Sequence, residues 1–202
     1  ILVLNGIHPG EPDGIDASMM LLRDLASGKL PMPGNVALAV IPVYNIGGCL
    51  NRSSYSRVNQ DGPESYGFRG NSRNLDLNRD FIKADSREAL AFEKIFQWIN
   101  PDIFIDNHVS DGADYQHTMT LLTTQHNKLG GPAGKFLHEV FEPALFRGMQ
   151  QKNWPMTPYV NVEETSPDKG WTAFYDPPRY SSGFASLFQA MAFVPETHML
   201  KP

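Results

Sequence analysis

The residues best suited to chemistry are His8 and Glu11, three apart in the turn Ile7-His8-Pro9-Gly10-Glu11-Pro12. An imidazole and a carboxylate at that spacing can chelate one ion. A second imidazole, as third ligand, would complete a two-histidine, one-carboxylate set, the ligation of catalytic zinc with one position left open for water. His108 is the candidate third ligand. Taken alone, the pair also fits the first turn of a helix, where the dipole favours Glu11.

A second polar stretch, residues 68–81, carries Arg69, Arg73 and Arg79. Asp76 and Asn78, two apart, share one face if the segment is extended. Arg79 beside Asn78 makes a good carboxylate clamp, because a guanidinium offers a planar fork of donors. A solvated loop laced with salt bridges is the plainer alternative.

These groups need elements to hold them. Residues 1–6 read as an apolar strand. Residues 12–27 read as a helix, with Pro12 in its first turn, apolar Ile15, Met19, Leu22 and Leu25, and Gly28 as its stop. Residues 36–44 read as a second strand, so strand, helix and strand predict a right-handed βαβ unit in a parallel sheet. Residues 45–74 lack periodicity, and so long a loop in a compact domain is usually functional or disordered. Further along, the pattern predicts a helix over 86–99, strands over 102–106 and 117–124, a long helix over 132–151, an irregular stretch over 153–182, and an apolar run over 184–195. His8 and Glu11 follow the first strand, His108 follows 102–106, and Glu196 follows 191–195. Open α/β sheets bind ligands beyond the carboxyl ends of their strands, so one sheet would bring all four groups to one edge.

The chain has 202 residues, 41% hydrophobic and 19% charged, with net charge −5. That suits a single α/β domain over 1–202 with a real core. No Lys/Arg run exists, which argues against nucleic acid or an anionic membrane as partner. No apolar stretch approaches the roughly 20 residues that span a bilayer. Cys49 is the only cysteine, so no intrachain disulfide forms, and the compartment stays open. No targeting segment is visible. The chain lacks an initiating Met and begins inside an apolar run, which points to the processed or ordered part of a longer product. Oligomeric state is not legible.

His8-x-x-Glu11, Arg69 in Phe68-Arg69-Gly70-Asn71, Asp76-Leu77-Asn78-Arg79, His108 and the late Glu196 occur in an order that resembles the zinc metallocarboxypeptidases, the carboxypeptidase A-like family. The likeness spans nearly the whole chain. It implies a three-layer α/β/α domain with a mixed, mostly parallel twisted sheet. It also implies one Zn2+ held by His8, Glu11 and His108, the ligand types of carboxypeptidase A itself. The same resemblance casts Asp76 as the carboxylate that orients a ligand histidine and Arg69 as the stabiliser of the tetrahedral oxyanion. It casts Asn78 and Arg79 as the grip on a terminal carboxylate, and Glu196 as the general base. The activity implied is hydrolysis of a C-terminal peptide bond by a metal-activated water.

The chain departs from the familiar digestive enzymes. Ser72-Arg73-Asn74-Leu75 precedes Asp76 where Gly-Val is common, so Arg73 rivals Arg69, which the spacing favours. Tyr175 has the spacing of the tyrosine that caps the substrate, and Tyr180 has the more conspicuous Pro178-Arg179-Tyr180-Ser181 context. Arg179 is either an extra substrate contact or a surface arginine. Asp106 either supports His108 or shapes the end of its strand. His117, His126 and His138 lack a companion at chelating spacing, and His198, two past Glu196, reads as packed or solvated, with tuning of Glu196 as the alternative. Met19, Met20, Met191 and the aromatics of 92–98 read as core.

Two rival functions are carried. Zinc amidohydrolases of the aspartoacylase or succinylglutamate desuccinylase type also resemble Gly6-x-His8-x-x-Glu11 and Asp76-Leu77-Asn78-Arg79, which implies small N-acyl amino acids as substrates. A non-catalytic binding module on the same fold is the other, and the presence of three ligands, an oxyanion arginine and Glu196 argues against it.

Overall fold

The computed structural model describes every residue except 58, 59, 61, 111, 112, 165, 201 and 202. Strand β1 (Leu2–Leu4) leads through the His8 turn into helix α1 (Asp13–Ala26), then strand β2 (Ala39–Ile41). Both strands are shorter than expected, and Pro42, which has no N–H for a ladder, follows β2 directly. The 45–74 stretch is not structureless: it folds as helix α2 (Ile46–Leu50) and the two-residue strands β3 (Arg52–Ser53) and β4 (Tyr66–Gly67). A 3₁₀ turn (Leu77–Arg79), helix α3 (Arg87–Ile99), and strands β5 (Ile103–Asp106), β6 (His108–Val109) and β7 (Met119–Thr123) come next.

The expected 132–151 helix is present as one continuous helical run, α5 (Gly131–Phe136), a π-helical stretch (Leu137–Phe141) and α6 (Glu142–Gln151), and a short helix α4 (His126–Leu129) precedes it. The expected irregular stretch contains strands β8 (Met156–Pro158), β9 (Val160–Val162) and β10 (Trp171–Ala173). The last apolar run divides into helix α7 (Ser181–Ser186) and strand β11 (Met191–Thr197), with Glu196 inside the strand rather than after it.

The main sheet runs β2-β1-β5-β11-β7-β8, with β6 also paired to β11. Neighbours are parallel except β11 and β7, which are antiparallel, so the sheet is mixed and mostly parallel. Alternation along the strands assigns the two faces. Leu2, Leu4, Phe104 and Ala192 pack on Phe92 and Phe96 of α3 and Phe184 of α7. Ile103, Met191 and Phe193 pack on the other side with Leu129, Leu137, Phe141 and Leu145. Helices therefore cover both faces, as in three-layer α/β proteins.

Two core expectations fail. Helix α1 turns Gly14 and Ser18 inward and leaves Met19 and Met20 exposed. Its small side fits close to the sheet: a Cβ on Gly14 would lie 2.3 Å from Asn107 Cβ, and Ser18 Oγ accepts from Asn5 Nδ2 at 2.9 Å. Trp98 is likewise exposed, while Phe92 and Phe96 are buried. Among the described residues, no helix is long and apolar enough to cross a membrane.

Candidate functional site

The turn after β1 brings His8 and Glu11 together, because Glu11 N donates to His8 O at 2.9 Å. His108 begins β6, on the neighbouring strand path, where it stands in register with Glu196 of β11. His8, Glu11 and His108 are all buried, and each offers a ligand atom within 4.8 Å of the others. His8 Nδ1 lies 3.0 Å from Glu11 Oε1, and His108 Nδ1 lies 2.9 Å from Oε2, which also accepts from Val109 N at 3.0 Å. The two imidazoles meet edge-on, 5.2 Å between centroids.

Each ring is held from behind by its other nitrogen. His8 Nε2 lies 3.0 Å from Asp76 Oδ1, and His108 Nε2 lies 3.1 Å from Asp106 Oδ2. Backing of this kind fixes which ring nitrogen faces a metal and raises its basicity. The donor set, two imidazole Nδ1 atoms and one carboxylate, suits a borderline divalent ion such as zinc.

The electrostatics follow from the packing. Burial alone would raise the Glu11 carboxyl, but the charges and hydrogen bonds of His8 and His108 outweigh it and hold the group well below the ordinary carboxylate range. Burial would lower His108, and Asp106 and Glu11 overcome it, leaving the imidazole well above its usual value. Burial would also raise Asp76; His8, Arg69 and Arg79 hold it far below the normal range.

The arginine segment is shaped by its own side chains. Asn45, fully buried, donates to Arg69 O at 3.1 Å and Ile7 O at 3.3 Å, tying the loop to the His8 turn. Asn71 Oδ1 accepts from Arg73 N and Leu75 N, both at 3.0 Å. Asp80 accepts from Asp85 N and Ser86 N, anchoring the segment's far end to the start of α3. Arg69 Nε then donates to Asp76 Oδ2 at 2.9 Å. Asn78 N donates to Asp76 Oδ1 at 3.0 Å, and Arg79 Nη1 donates to Asn78 O at 2.9 Å.

One pocket collects most of these groups: His8, Glu11, His108, Arg69, Asn78, Arg79, Tyr180 and Glu196 all line it. Arg79 lies over the Tyr180 ring, 4.8 Å from its centroid. Tyr175 is not among the lining residues; it is 65% exposed and carries Lys128 over its ring. Arg179 is exposed beside Tyr180, and Arg73 is exposed too; neither lines the pocket.

Among solved structures, the chain matches a metallo-carboxypeptidase from Pseudomonas aeruginosa in complex with (2-guanidinoethylmercapto)succinic acid. The TM-score is 0.66 at 17% identity, over 98% of this chain and 48% of that one. It also matches a metallo-carboxypeptidase from Burkholderia cenocepacia, with TM-score 0.68 and 17% identity, over 98% of this chain and 47% of that one. The fold is that of the metallo-carboxypeptidases. The chain spans about half the length of these structures. No protein-family model and no curated protein sequence matches it.

The metallo-carboxypeptidase fold also brings in residues that sequence reasoning missed. Leu122, Tyr159, Phe174 and Val194 wall the pocket, and Ser181 and Ser182 reach it from the start of α7. Strand alternation in the 117–124 and 191–195 runs could have pointed to Leu122 and Val194; nothing in the Pro- and Tyr-rich stretch marks Tyr159 or Phe174. Arg57 is a further omission, since it contacts Glu11 from a segment with no periodic signal.

Proposed function

We propose that this chain is the catalytic body of a zinc-dependent metallocarboxypeptidase-like hydrolase that cleaves a C-terminal peptide bond. One observation carries the reading: two imidazole Nδ1 atoms and a carboxylate converge on one point, each imidazole backed by its own carboxylate. The same pocket holds Arg69, Asn78, Arg79 and Glu196.

His8, Glu11 and His108 would hold the ion. Zinc bound there supplies Lewis-acid polarisation of a carbonyl and acidification of a water. Asn78 and Arg79 bind the substrate's terminal carboxylate, which fixes where along the peptide the reacting carbonyl falls. Leu122, Phe174 and Val194 give the pocket an apolar wall, which favours an apolar C-terminal side chain. Glu196 takes a proton from the attacking water and returns it to the leaving amide nitrogen. Arg69, steadied through Nε by Asp76, donates to the oxygen on which negative charge develops.

The test is metal analysis paired with turnover of a blocked dipeptide and an N-acyl amino acid, for wild type and Glu196→Gln. Dipeptide hydrolysis that vanishes in the variant while zinc stays bound is the expected result. Turnover of the acyl amino acid alone would replace the peptidase reading with the small-amide hydrolase. Zinc binding without turnover of either substrate would leave a binding module.

A further inference from the structure

Arg57 is a largely covered cation that the proposed chemistry does not use. Its side chain is 10% exposed, and its Nη1 donates to Oε1 of Glu11, which is 3% exposed. Its Nη2 donates to Ser110 O at 3.4 Å. The approach is built into the fold. Arg57 N donates to the Tyr66 hydroxyl at 3.2 Å, and that hydroxyl donates to Arg57 O at 2.8 Å, so a buried tyrosine grips the backbone on both sides. A Cβ on residue 10 would lie 3.0 Å from Arg57 Cδ and 2.9 Å from Gly67 O, so only glycine lets the stem pass at this distance.

The oxygen that Arg57 holds is the one 3.0 Å from His8 Nδ1. It belongs to the ligand set, so the guanidinium and a divalent ion draw on the same carboxylate oxygen. Arg57 does not line the pocket, which separates it from the substrate contacts.

We propose that Arg57 is a positioning residue that competes with the metal for Glu11. It aims the carboxylate between His8 and His108 before an ion arrives, and it loosens the grip of the loaded centre on that ion. The proposal rests on the metal-centre reading above. Its physical basis is plain: a fixed positive charge beside a ligand opposes a second cation there, and burial weakens the screening that would hide it.

The experiment is a zinc titration of the metal-stripped full chain against a chromophoric chelator, for wild type, Arg57→Met, Arg57→Lys and His108→Ala. Arg57→Met is expected to bind zinc about tenfold tighter or more, because the opposing charge is gone. Its metal-free form is expected to melt at a lower temperature, because Glu11 loses a partner. Arg57→Lys keeps the charge and is expected to hold zinc like wild type. Unchanged or weaker zinc binding in Arg57→Met overturns the proposal. A second readout does not depend on the fold of Arg57→Met: in nitrogen-15 arginine spectra of wild type, the Nε–H signal lost in Arg57→Lys is expected to shift on zinc addition, and a static signal overturns the competition. Zinc uptake that is absent in wild type, or that survives His108→Ala, overturns the metal-centre reading and this inference with it. His108-dependent uptake with no effect of Arg57→Met overturns this inference alone.

Discussion

Asp106→Asn isolates the support behind one proposed ligand, His108, without touching that residue. Asp106 is fully buried at the end of β5, and its Oδ2 lies 3.1 Å from His108 Nε2. The charge-assisted bond it makes is worth about 1.5–3 kcal/mol, against about 0.5–1.5 for the neutral amide replacing it. The difference, about 1–1.5 kcal/mol, is about tenfold in an equilibrium constant. Loss of imidazole basicity adds to that, so zinc affinity is expected to fall 10–100-fold, the usual range for carboxylates behind metal-bound histidines. The assay is a zinc titration against a competing chelator, with thermal melting of the metal-free protein as the fold control, since the swap conserves volume. An affinity within about threefold of wild type, about 0.65 kcal/mol, would refute the claim that Asp106 fixes His108 for the metal.

Three further outcomes are expected. Arg69→Met should lower kcat by about 10²–10³ with little change in melting temperature, because in the proposed mechanism it removes a donor aimed at developing charge; a loss confined to KM would reassign Arg69 to ground-state binding. Gly14→Ala should destabilise the fold by about 1–3 kcal/mol, as overpacking of a close contact does, and a urea melt matching wild type would contradict the tight seat of α1 against Asn107. The metal-free protein should be most stable between the ordinary pKa values of a carboxyl and an imidazole, about pH 4.3 to 6.5. Glu11 and Asp76 are held low despite burial, so their contribution is present above the ordinary carboxyl value and lost as pH falls through their depressed folded values. His108 is held high despite burial, so its contribution is present below the ordinary imidazole value and lost as pH rises through its raised folded value. Stability still climbing from pH 6 to pH 8 in chelator would reverse that assignment.

What could be read from the chain was what the strands announce. His8 and His108 each sit just beyond a short apolar run, and both runs became neighbours in the sheet. The meeting of Glu196 with His108 followed from the same pattern, although Glu196 is paired within β11 rather than trailing it. Periodicity misled where a helix packs by its small side: α1 buries Gly14 and Ser18, and no hydrophobic count marks such a face. It was silent where strands are short and exposed, as in β9 and β10, whose residues include the exposed Trp171. Arg57 was invisible for a related reason, because what places it is a tyrosine hydroxyl and a glycine gap rather than a repeat.

The place of β11 in the sheet has a consequence for biogenesis. It follows β7 and β8 in sequence, yet it lies between β5 and β7 and joins the β2-β1-β5 block to the β7-β8 pair. Until Thr197 has left the ribosome, the nascent protein displays two raw edges with nothing to bridge them, a form open to wrong partners. Closure therefore waits on contacts of large sequence separation and is slow for that reason. The strand that completes it is also the one that carries Glu196, so the sheet and its candidate proton carrier arrive together.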